Sequence, residues 1–114
     1  MIRNILLSII FVFALNIHNA HSTGRDHIED CKKALTINED SHTMYSQGYC
    51  VGFVSGVYRK WRKEQPKDCN TPQTSIFPIV SFIVMHIEDK PYRIDDPFDV
   101  LIERALNEGW PCNR

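Results

Sequence analysis

The chain has 114 residues, 43% of them hydrophobic and 24% charged, with 13 basic side chains, 14 acidic ones and four cysteines. A chain this short has room for one modest core. Its formal charge of −1 excludes the broad positive field that would favour nucleic acid or an anionic membrane, so a partner must be selected by shape and local charge.

Residues 1–22 read as a secretory signal peptide. Arg3 supplies the positive start, 5–17 is an apolar run, and Ala20-His21-Ser22 offers small residues at −3 and −1 for cleavage after Ser22. Cleavage after Ala20 is the alternative. The apolar run is short for a membrane span, which needs about 20 residues. The exported domain is then 23–114, with 12 basic and 14 acidic side chains, a formal −2.

Cys31, Cys50, Cys69 and Cys112 all lie in that domain. An even count in a small exported chain reads as two disulfides. No close cysteine or histidine pair marks a metal site, and no cofactor motif occurs.

Residues 23–36 are predicted as a first helix, with Ile28, Cys31, Ala34 and Leu35 on one face. Residues 37–46 are polar and aperiodic and read as a loop. It holds Glu39, Asp40 and His42, which form the first candidate partner-binding group.

A second helix is predicted from about Tyr45 to Glu64. Gly48, Gly52 and Gly56 recur every four residues and line one stripe of it. Each costs roughly 1 kcal/mol relative to alanine, so they are read as helix-packing positions where a second backbone comes close. Phe53, Val54, Val57 and Trp61 are expected to supply the apolar face. Arg59, Lys60, Arg62 and Lys63 end the helix as cations suited to its negative pole. Trp61 among them makes this end the second candidate contact patch.

A third helix is expected to start with Ser75 as N-cap, putting Pro78 at N3, where its missing N–H costs little. Residues 76–87 are apolar nearly all round, so this helix is either central or shared with a second copy. A fourth helix is expected from Asp95 or Asp96 with Pro97 at N1, Phe98, Leu101, Ile102, Ala105 and Leu106 inward, and Gly109 as C′. A short connection makes the third and fourth helices antiparallel, which sets Cys69 beside Cys112 and leaves Cys31 to Cys50. The fold class expected is all-α: a small disulfide-stapled bundle of four helices.

The segment Cys50-x-Gly52-Phe53-x-x-Gly56-Val57, then Cys69, Ser75 before an apolar helix, Pro91 after it, Asp96-Pro97, and Trp110-Pro111-Cys112 form a pattern. On these features residues 47–112 resemble the Rap/Tai family of type VI secretion immunity proteins. Asn70-Thr71-Pro72 and Pro78 depart from the usual family pattern. The resemblance implies an exported, mostly helical, often dimeric protein. It would bind and block a peptidoglycan-cleaving amidase injected into the periplasm by sister cells, and would perform no chemistry itself.

Two other classes stay open: a small periplasmic helical chaperone or stress protein, and a carrier that uses the third helix to hold a hydrophobic ligand. An enzyme is disfavoured. Ser55 lies inside a helix rather than on a strained turn, and no Ser/His/Asp or paired-carboxylate signature stands out.

Overall fold

The computed structural model describes residues 1–5, 22–36 and 41–112, without the side chains of 41–43. Residues 2–5 are helical, and from Gly24 on four helices follow one another: α1 Gly24–Ala34, α2 Ser41–Glu64, α3 Ile76–Asp89 and α4 Phe98–Gly109, with a 3-10 turn at Pro91–Arg93 between α3 and α4. The protein is an all-α bundle stapled by Cys31–Cys50 and Cys69–Cys112, the two pairs expected from the helix order.

The chain enters α1 through a capping box. Thr23 N–H donates to Asp26 Oδ2 at 2.9 Å, and Asp26 N–H donates to Thr23 Oγ1. The bond from the Thr23 backbone, then that from its side chain, holds the Asp26 carboxyl below its usual range. This start is also pinned from outside. Gly24 N–H donates to Asp96 O, Arg25 N–H to Ile94 O, and Phe98 N–H to Ser22 O at 2.9 Å. The Arg25 guanidinium holds Asp95 with two bonds of 2.7 and 3.1 Å. The first turn of α1 and the lead-in to α4 are thus one structural unit, although some 70 residues separate them.

α1 buries Gly24, His27, Ile28, Cys31 and Ala34. Leu35 was expected on this face. It instead caps the helix C-terminus and is exposed, because its N–H turns back to Lys32 and Lys33.

α2 runs 24 residues, about 36 Å at 1.5 Å per residue. Its buried stripe is Ser46, Cys50, Val54, Tyr58 and Trp61. Phe53 and Val57 flank that stripe, partly buried. The expected loop over 37–46 is overturned for its second half, since the helix begins at Ser41. Glu39 and Asp40 lie outside the described residues. Local propensity at Ser41–Ser46 is weak, and tertiary anchoring overrides it. Ser46 is 1% exposed, Cys50 bonds to α1, and Gln47 Nε2 donates to Thr36 O at 3.2 Å.

The connection after α2 is tied back to it. Tyr58 Oη donates to Pro72 O at 2.6 Å, and Gln65 Nε2 to Trp61 O at 2.7 Å. α3 starts where expected, after Ser75, with Pro78 third in the helix. Ile79, Val80, Ile83, Val84 and Ile87 face inward, while Phe77 and Met85 are exposed. α3 is therefore one wall of the bundle rather than an enclosed centre.

Pro97 is the N-cap of α4 rather than its first residue, and Gly109 is its last residue rather than a left-handed C′. No glycine among the described residues has positive φ. Gly109 instead makes room for a ring: a Cβ there would stand 2.6 Å from Phe82 Cζ. Phe82 packs edge-on against Trp110, centroids 4.9 Å apart, as the chain turns toward Cys112.

Candidate docking face

The face of α2 opposite its buried stripe carries Tyr45, Gly48, Tyr49, Gly52, Gly56, Arg59 and Lys63, all exposed. A Cβ built on Gly48, Gly52 or Gly56 would meet nothing within 4 Å. Their expected role as packing positions inside the domain is thus overturned. The physical reason lies in helix phase. Gly48 and Gly52 flank Cys50 two residues away on either side, which is roughly 200° around the helix. Cys50 must point inward to reach Cys31, so these glycines point outward. The close approaches occur instead at Gly24, to the Ile94 backbone, and at Gly109, to the Phe82 ring.

The N-terminal end of this face is aromatic. Tyr45 and Tyr49 stack with centroids 6.5 Å apart, Tyr49 and Phe53 follow at 6.4 Å, and Phe53 meets Phe98 of α4 at 5.1 Å. His27 of α1 lies beneath this ladder, 5.1 Å from Tyr49 and 5.0 Å from Phe98. It is 8% exposed, and neither ring nitrogen has a hydrogen-bond partner among the described residues. The sequence pattern assigns His27 no role. Its position next to Ile28 and four residues before Cys31 is the helical signal that places it inward. Met44 is exposed at the same end of α2.

The C-terminal end is basic. Lys60 leans onto α4, 3.2 Å from Glu103, with Glu64 on its other side at 3.6 Å. The bond to Glu103 holds its ammonium above the usual lysine range. Arg59, Arg62 and Lys63 line a shallow depression of about 320 Å³, and Arg62 sits over the Tyr58 ring at 5.8 Å.

Trp61 does not belong to this surface. It is 2% exposed, and its Nε1–H donates to Asn107 Oδ1 at 2.8 Å. The candidate contact role of Trp61 is therefore corrected: it packs α2 onto α4 beneath the basic end. His42 sits in the first turn of α2, its side chain outside the described set. Its neighbours Glu39 and Asp40 also fall outside that set, so the three are not brought into any described site.

His86, near the end of α3, is a structural histidine with a partner on α4. Its Nε2 lies 2.5 Å from Glu108 Oε2, which also accepts from Lys90 Nζ at 2.6 Å. These bonds, that from Lys90 first, pull the Glu108 carboxyl from 4.5 down to about 2. The cluster ties α3 to α4.

Among the described residues, no three His, Cys, Asp or Glu side chains gather as a metal would require. None of the described helices is long and apolar enough to cross a membrane. What the arrangement provides is a long exposed helix face with an aromatic end, a bare backbone in the middle and a basic end.

A family model described as Rap1a immunity proteins matches residues 23–112. The chain belongs to the Rap1a immunity protein family. The match spans all four helices and all four cysteines, so it covers α1 as well as the part in which the sequence motifs lie. No curated protein and no solved structure matches the chain. An immunity protein of this family implies a cognate effector as its binding partner.

Proposed function

We propose that this Rap1a immunity protein is exported to the periplasm, where it binds and blocks a peptidoglycan amidase delivered by type VI secretion. The observation that carries the reading is the family match across 23–112, the whole disulfide-stapled bundle. Two disulfides suit an oxidising compartment, and the apolar run at 5–17 supplies the export signal.

The docking element proposed is the outer face of α2. Exposed Tyr45 and Tyr49 give large contact area at low entropy cost. The glycines beyond them let a partner come within van der Waals reach of the helix backbone. Glu39, Asp40 and His42, just before or within the first turn of α2, are proposed to extend this contact with charge-assisted bonds. A second copy meeting through exposed Phe77 and Met85 of α3 is the proposed homodimer, and light scattering at micromolar concentration tests it.

The functional test is protection. A candidate amidase is directed to the periplasm of cells with and without this protein. Survival only with the protein supports the reading, and lysis in both cases overturns it for that amidase class. In the same assay, Tyr45→Ala/Tyr49→Ala should abolish protection while circular dichroism stays unchanged. The triple change of Glu39, Asp40 and His42 to Ala measures what the preceding segment adds.

A further inference from the structure

Arg25 pairs with Asp95, Lys32 with Glu29 and Glu88, Lys60 with Glu64 and Glu103, Lys90 and Arg93 with Glu108, and Arg104 with Asp96. Arg59, Arg62 and Lys63, like Lys33 and Lys67, have no carboxylate partner among the described residues, but these three stand together within two turns and line one depression. In a chain with more acidic than basic side chains, such clustering leaves mutual repulsion uncompensated. The helix dipole accounts for Arg62 and Lys63 in the last turn. It does not account for Arg59, because the effect falls off within that turn.

Arg59 and Lys63 also continue the line of Tyr45, Tyr49, Gly52 and Gly56 along α2. From Tyr45 to Lys63 that line is about 27 Å at the helical rise. We propose, resting on the immunity reading above, that the bound effector presents an acidic segment to Arg59, Arg62 and Lys63. Its apolar side chains then reach Tyr45 and Tyr49, so that docking along α2 has one fixed polarity. Nucleic acid and anionic lipid fit less well. Both call for an extended positive surface, whereas here the basic end is bounded by Glu64 and Glu103 and adjoins an aromatic stripe.

The experiment uses the purified amidase of the protection assay and the full exported protein. Binding is measured by calorimetry and stopped flow at 50 and 500 mM NaCl. The unaltered protein should bind about tenfold or more weakly at high salt, and Arg59→Glu/Lys63→Glu should slow association at low salt by about tenfold or more. Arg59→Gln/Lys63→Gln should give a smaller loss of the same kind. Lys32→Glu/Lys33→Glu, which changes charge equally on α1, should leave association within about twofold. Salt-independent binding, equal losses in both double reversals, or no loss at Arg59 and Lys63 overturns the inference and leaves the immunity reading standing. A protein that protects cells but prefers a DNA 20-mer or phosphatidylglycerol vesicles to the amidase at this end also overturns it. Failure of the unaltered protein both to protect and to bind overturns the two together.

Discussion

Gly24 lies so close to Ile94 that a Cβ on it would stand 2.9 Å from the Ile94 carbonyl oxygen and would overlap Leu101 Cδ1. The oxygen has little freedom to retreat, because it accepts from Arg25 N–H at 2.8 Å. Gly24→Ala should therefore destabilise the fold by about 1–3 kcal/mol through overpacking. Gly52→Ala and Gly56→Ala should do the reverse and stabilise by about 0.5–1 kcal/mol each, since they sit in an exposed helix interior with open space around them. Denaturant midpoints of the three variants check both signs. A stabilised Gly52→Ala/Gly56→Ala double variant that has lost affinity for the effector would show that these glycines serve the partner and not the fold.

Acid should weaken the bundle at a definite place. Glu108 has its carboxyl lowered from 4.5 to about 2 by Lys90 and then His86. A depressed carboxylate contributes stability that is complete above the unfolded value and is lost as pH falls from about 4.5 toward about 2. Glu108→Gln should lower the melting temperature at neutral pH and flatten the acid limb between pH 5 and 2. Asp26 and Asp95 are also lowered, so part of the limb should persist. Melting curves across that range decide, and an acid limb identical to the parent's would show that the α3–α4 cluster has no part in it.

The two disulfides should differ in reducibility because they differ in access. Cys31 and Cys50 are 1% and 0% exposed, whereas Cys69 and Cys112 are half-buried near the chain end. Under mild dithiothreitol, alkylation followed by peptide mapping should label Cys69 and Cys112 first. On the loop-entropy model each bond is worth roughly 3–4 kcal/mol. Loss of Cys31–Cys50 should therefore unfold α1 from α2, while early loss of Cys69–Cys112 should leave that pair intact.

For the proposed leader, the bond at Ser22 gives a reason to prefer one cut site over the other. Ser22 O accepts from Phe98 N–H at 2.9 Å, beside the Thr23–Pro97 bridge. Cleavage after Ser22 would remove this acceptor from the first turn of α4, and cleavage after Ala20 would keep it. Intact-mass measurement of the exported protein should find a chain beginning at His21. A chain beginning at Thr23 would show that Phe98 N–H finds another partner.

Helix count, helix order and disulfide pairing were legible because they rest on local or nearly local rules. The periodicity of Ile28, Cys31 and Ala34, the pause at Ser75, and the Asp96-Pro97 start each mark an element within a few residues. Two helices joined by a short connection must run antiparallel, which sets Cys69 by Cys112 and Cys31 by Cys50. The docking face was half legible. The glycine stripe and the basic end both stood out, but the stripe was assigned inward by a general habit of helical glycines. The inward demand of Cys50, two residues away, is the signal that contradicts it.

Other features only the tertiary structure decided. The first turns of α2 are helical because α1, through Cys31, Thr36 and His27, holds them in place. No local propensity in Ser41–Ser46 carries that information. Trp61 is buried because Asn107, far along the chain, arrives to take its N–H. The glycines the fold requires are Gly24 and Gly109, and the atoms they avoid belong to Leu101, Ile94 and Phe82, each distant in sequence. The sequence by itself determined the number and order of the bundle's helices and which cysteines meet, because helix periodicity and short connections act over a few residues. Which side of α2 remains open to a partner was decided by packing, because burial depends on residues brought together from the whole chain.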